Sequence, residues 1–91
     1  MAGDSVLEWQ LARALAVRLR DLRLQSGITQ EQAAERAGLS RNHYQLLESA
    51  LSDRAKGTPA NPRLTTLAEL AQALDCSLGD LTTGLDTPTR A

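Results

Sequence analysis

Leucines recur along the first third of the chain at Leu7, Leu11, Leu15, Leu19 and Leu22. Spacings of four, four, four and three residues keep them on one side of a helix. Ser5 and Glu8 can form a capping box at its start and Gly27 supplies a stop, so the pattern predicts a helix over residues 6–26. Leu64, Leu67, Leu70, Ala71 and Leu74 repeat the stripe and predict a helix over 63–74, and Ser77 with Asp80 opens a last short helix, 77–82, carrying Leu78 and Leu81. Between them the pattern tightens. Thr29 and Gln32 form another capping box, Ala33, Ala34 and Ala37 keep one face small, Gly38 offers a positive φ, Leu39 is a plug and Ser40 caps a second short helix. Two short helices joined by a turn of about three or four residues predict a helix-turn-helix over 29–51.

The second of these helices has two different sides. With residues about 100° apart, Tyr44, Leu47, Glu48 and Leu51 fall on one side and Asn42, Gln45, Leu46 and Ser49 on the other, with Arg41 and His43 on the flanks. Arg matches guanine O6 and N7, and Asn or Gln matches adenine N6 and N7, so the outward side suits the base edges of a DNA major groove. Ser49, Ala50 and Leu51 continue the helical pattern, and residues 52–62 then form a long polar loop rich in Gly and Pro; the stretch SDRAKGTPANPR carries Arg54, Lys56 and Arg63 and, lying just beyond the second helix, is placed to meet the sugar-phosphate backbone or an adjacent minor groove. A loop of this kind is either functional or a solvated insert. Residues 82–91 have little to bury and are expected to fray.

Composition narrows the class. Trp9 and Tyr44 are the only aromatic residues, so the core is built of Leu and Ala and suits close helix packing. Trp9 lies off the leucine stripe and either belongs to a partner surface or packs over the last helix of its own chain. A chain of 91 residues allows one small domain that buries about two thirds of its unfolded surface. The lone Cys76 cannot form an internal disulfide, and no signal peptide or membrane-spanning run is read, so a soluble cytoplasmic protein is expected. His43 is the only histidine; there are no paired carboxylates, metal spacing or phosphate-binding glycine loop, so neither an enzyme nor a metal or cofactor site is expected. The net charge of −1 argues at first against nucleic acid, but from residue 13 to 63 nine basic residues face five acidic ones, giving +4, and the acidic excess lies at the two ends.

The run GITQEQAAERAGLSRNHYQLLE, with LRDLRLQSG before it and LTTLAELAQALDCSLGDL after it, resembles the helix-turn-helix of the Cro and phage-repressor family, the xenobiotic-response-element-type bacterial regulators, over about Leu15 to Leu81. The resemblance implies an all-α, compact, five-helix lambda-repressor-like DNA-binding domain over residues 1–81 with a flexible tail over 82–91. It implies that Arg41, Asn42, Gln45 and Leu46 face bases, that Gln30, Ser40, His43 and Ser49 meet phosphates, and that Arg23 pairs with Glu48 as a structural salt bridge; Arg54 and Lys56 are expected to meet phosphates from the position of their loop, not from the resemblance. Two features depart from the family. Leu46 stands where a polar residue is usual and either touches a thymine methyl or packs against the long loop, and that loop is roughly eight residues longer than usual. The expected function is a sequence-specific double-stranded DNA-binding regulator, a repressor by family habit, acting as a homodimer. A small-molecule effector is not expected, since no stretch remains for a sensing domain. The expected dimer surfaces are the start of helix 1, with Val6, Trp9 and Arg13, and the region of Leu78, Leu81 and Leu85. The alternative is a protein-interaction module, such as the antitoxin of a toxin–antitoxin pair, whose association would lack the steep salt dependence of DNA binding.

Overall fold

A computed structural model of the chain describes residues 5–85. Its elements run α1 (Val6–Ser26), α2 (Gln30–Ala37), α3 (Arg41–Glu48), β1 (Leu51–Asp53), β2 (Thr58–Pro59), α4 (Leu64–Ala73) and α5 (Leu78–Leu81). Side-chain caps set most of the helix starts. Ser5 with Glu8, Thr29 with Gln32 and Ser77 with Asp80 each form reciprocal capping boxes, and the Ser40 hydroxyl accepts from the His43 amide at 3.0 Å. Gly27 and Gly38 end α1 and α2 in the left-handed conformation at φ 69° and 71°, where a side chain would be strained.

The core is the meeting of these helices. α2 packs on α3 and α4, and α1 packs on α3 and α5. Leu19, Ala33, Tyr44, Leu70 and Leu81 are fully buried at its centre. Alanines on α2 allow the close approach: Ala33, Ala34 and Ala37 are all buried, so that face can lie directly against its neighbours.

Two expectations are corrected here. The fold is mostly helical rather than purely α, because the segment read as a loop contains a two-stranded antiparallel sheet. The helical pattern also stops at Glu48 rather than running through Leu51, because Ala50 takes a left-handed φ of 63° and turns the chain into β1. The hairpin is held locally: the Asp53 carboxylate accepts from the Lys56 amide at 3.0 Å, and the Gly57 amide donates to the Asp53 carbonyl at 2.9 Å. Leu51 pairs with Pro59 and Asp53 with Thr58, which leaves Ser52 as the extra residue of a bulge. Pro59 and Ala60 are buried, and β2 packs against α1, so the hairpin is anchored to the core at its base.

At the other end, Leu81 is fully buried and Leu85 packs against the core. Thr82 and Thr83 donate through their hydroxyls to the carbonyls of Leu78 and Gly79 at 2.9 and 3.0 Å. Leu81 therefore belongs to the interior and not to a dimer surface, and the start of the segment read as a fraying tail is tied back onto α5. The rest of that segment, 86–91, lies outside the described residues. Among the described residues no helix is long and apolar enough to cross a membrane.

Candidate nucleic-acid interface

The site is built on Glu48, the last residue of α3. Its carboxylate lies on the inner side of the helix, with only 4 % of the side chain exposed, and four donors converge on it. Arg23 of α1 approaches with both arms of its guanidinium, Nε to Oε2 at 2.7 Å and a terminal nitrogen to Oε1 at 3.1 Å. The Tyr44 hydroxyl, one turn earlier on the same helix, donates to Oε2 at 2.5 Å. Gln30, the first residue of α2, donates through its side-chain amide to Oε1 at 2.9 Å. The remaining terminal nitrogen of Arg23 donates to the Ile28 carbonyl at 3.0 Å. One carboxylate thus ties α1, α2 and α3 together.

Electrostatics follow from this arrangement. Burial by itself would raise the Glu48 carboxyl, but the hydrogen bonds from Arg23, Tyr44 and Gln30 outweigh it and hold the group below the usual carboxylate range. The Arg23 guanidinium is raised in turn, chiefly by its bond to Glu48. Burial, followed by donation to a carboxylate, pushes the Tyr44 phenol well above its ordinary value. All these groups keep one charge state across the physiological range, as a structural clamp requires. Among the described residues no buried side-chain polar atom is left without a partner.

The clamp fixes the inner side of α3 and so aims its outer side. Arg41, Asn42 and His43 are exposed in the first turn, and Gln45 and Leu46 are half-buried behind them. The Gln45 side-chain amide Nε2 donates to the Gln30 side-chain Oε1 at 3.5 Å, so Gln30 braces an outward side chain while its own Nε2 stays on Glu48. Ser40 and His43 are brought together by the cap. Ser49 is exposed just past the helix end, and Arg54 and Lys56 stand exposed at the hairpin tip.

The tertiary structure adds an apposition that the sequence did not show, although Arg63 itself is among the basic residues of the long polar stretch. His43 shares a cleft with Asn61, Pro62, Arg63 and Thr66, which sets the exposed Arg63 at the start of α4 across from the recognition side of α3. No local pattern signals this apposition, because it joins segments some twenty residues apart. Tyr44 and Gln30 as partners of Glu48 left a fainter signal: Tyr44 is four residues from Glu48 and on the same helix side. The free Cys76 is half-buried, and burial pushes its thiol up, away from a reactive thiolate.

The chain matches the helix-turn-helix family HTH_3 over residues 19–81. No curated protein matches it. Among solved structures, it is similar to the restriction-modification controller protein C.AhdI from Aeromonas hydrophila, at 30% identity over 77% of this chain and 94% of that one, with a TM-score of 0.64. The hypothetical transcription factor NHTF from Neisseria is 28% identical over 81% of this chain and 74% of its own, with a TM-score of 0.65. The clp gene regulator ClgR from Corynebacterium glutamicum is 27% identical over 82% and 71%, with a TM-score of 0.67.

Proposed function

Because the chain belongs to the Cro/C1-type helix-turn-helix family HTH_3, we propose that it is a sequence-specific double-stranded DNA-binding transcriptional regulator that represses by occupying its site. The observation that carries this reading is the division of α3: an inner side clamped through Glu48 to two other helices, and an outer side of Arg41, Asn42 and Gln45 presented from that rigid base. A side chain reads a base only if its backbone is held in register. Arg41 and Asn42 are the primary base readers, with Gln45 braced by Gln30 and Leu46 offering an apolar contact to a thymine methyl. Gln30, Ser40, His43 and Ser49 flank this face and meet phosphates, which fix register without reading sequence. Arg54 and Lys56 extend the phosphate contacts from the hairpin.

One helix of eight residues reads only a few base pairs, so the working unit is a homodimer on two half-sites about one helical turn apart. The half-buried Leu85, which lines an apolar groove with Leu11, Leu15, Pro62 and Leu67, together with the half-buried Leu78 of α5, is the surface for it. The cytoplasm, where the chromosome is met, is the compartment this function requires.

Selection of bound sequences from a random duplex pool tests the reading. A pseudo-palindromic site should emerge, and affinity for it should fall steeply with salt. Failure to enrich any sequence, together with salt-independent association, would reject it.

A further inference from the structure

Helix α1 has a second face. On the side away from the core-facing Leu15 and Leu19, the positions Val6, Trp9, Arg13, Val17, Arg20 and Leu24 recur at spacings of three and four residues along the whole helix. At about 100° per residue they form one stripe. Val6 is 75 %, Val17 61 % and Leu24 56 % exposed, three of the five large apolar side chains left exposed among the described residues. Single exposed apolar residues are ordinary. Three on one stripe, at the spacing of a helix–helix seam, match a helix that packs a second neighbour.

The stripe is also basic. Arg13 and Arg20 are exposed within it; of the acidic residues of this helix, Glu8 lies on the core-facing side and Asp21 stands at the edge beside Val17. The Arg13 guanidinium lies 5.2 Å from the centre of the Trp9 ring, which holds the cation against the stripe. The Glu48 clamp is reached from Arg23, on the flank of α1 between this stripe and the core-facing leucines, and none of the six stripe residues takes part in it.

We infer that the outer stripe of α1 docks an acidic amphipathic helix of a protein partner. Charge decides the occupant. A second copy pairing stripe to stripe would bring Arg13 and Arg20 from both copies along one apolar seam, four guanidiniums against the two flanking Asp21 carboxylates, and the excess like charge opposes that pairing. A helix with apolar residues at the same spacing and Asp or Glu on its flanks covers Val6, Val17 and Leu24 and gives each guanidinium a carboxylate partner. The 21 residues of α1 provide a seam of about 31 Å, enough for helix-on-helix recognition.

Trp9 is the only tryptophan in the chain, so its emission reports docking at the stripe directly. The probe is a synthetic helical peptide with leucines at three- and four-residue spacing and glutamates on the flanks, set against the same peptide with lysines on the flanks. The glutamate peptide should shift Trp9 emission and bind at least tenfold tighter than the lysine peptide. Val17→Glu and the double variant Arg13→Glu, Arg20→Glu should each weaken it at least tenfold, with unchanged far-UV circular dichroism and unchanged affinity for duplex DNA. The double variant Arg13→Lys, Arg20→Lys should retain most of the binding. Equal binding of the two peptides, or an affinity for the glutamate peptide that charge reversal leaves intact, overturns the proposal. A dimer that Val17→Glu dissociates assigns the stripe to a second copy instead, loss of DNA affinity on charge reversal assigns it to DNA, and either result overturns the proposal.

Discussion

Tyr44 and Asn42 stand two residues apart on α3 under opposite constraints. Tyr44 is fully buried, with its hydroxyl on Glu48; Asn42 is exposed. On the inner side, each residue is fixed by several others at once, so a change is felt as lost stability. On the outer side the side chains contact little of their own chain, and a change is felt by what they meet. Under the proposed function, stability and recognition are carried on separable sides of one short helix, with Gln30 at the border because it bonds both Glu48 and Gln45. Mutations should sort into two classes accordingly.

The largest effect is expected at the centre of the inner side. Glu48→Ala should cost about 3 kcal/mol, since it leaves the shielded Arg23 guanidinium without its carboxylate. Arg23→Ala added to it should cost little more, and a double-mutant cycle by urea unfolding checks this; simple additivity would show that the two do not act as a unit. The contribution of Glu48 is linked to protons. Its folded-state carboxyl is held below the ordinary value of 4.5, so the stabilisation is present above that value and disappears as pH falls through the depressed folded-state value. The gap in unfolding midpoint between the native chain and Glu48→Gln should therefore be constant near neutrality and narrow on acidification.

Asn42→Ala comes next and belongs to the other class. It should lose about 1 to 3 kcal/mol of preference at particular base pairs while Tm stays unchanged. Binding measured across single-base variants of the selected site tests this; equal loss on every sequence would make Asn42 a positioning residue and blur the comparison.

Tyr44→Phe sharpens it from the inside. Removing a hydroxyl that donates to a buried carboxylate should cost about 1.5 kcal/mol in chemical unfolding, with base preference unaltered. A change in preference would mean that the clamp and the reading side are coupled.

The smallest effect is expected at the hairpin tip. Lys56→Ala should weaken all sequences alike, reducing the salt slope of binding by about 1 and leaving Tm unchanged. A salt slope identical to that of the native chain would remove the hairpin from the DNA-binding surface.

Much of the architecture around the reading helix is legible from single residues. A Ser or Thr followed three positions later by Glu, Gln or Asp marks the starts of α1, α2 and α5, and glycine marks two of the ends. These are local agreements between a side chain and the backbone amides beside it, and they need no knowledge of the rest of the fold. The end of α3 is not legible in this way. Ala50 carries out in the left-handed region the turn that glycine normally makes, and a residue that good at forming helix gives no warning that it will leave one. The hairpin is silent in the sequence for a related reason: its strands are three and two residues long, too short for an alternating pattern to show.

The sequence by itself determined where the helices begin, which sides are apolar, and that one short helix offers Arg, Asn and Gln outward, because capping and periodicity are set by residues within a few positions of each other. Only the tertiary structure decided that Gln30 and Tyr44 join Arg23 on the Glu48 carboxylate, that Arg63 faces His43 across a cleft, that Leu81 is interior, and that a hairpin succeeds α3. The meeting of Gln30 and Arg23 on Glu48 and of Arg63 with His43 joins segments 18 to 25 residues apart through burial of the shared core, and burial is a property of the whole packed chain that no local window contains.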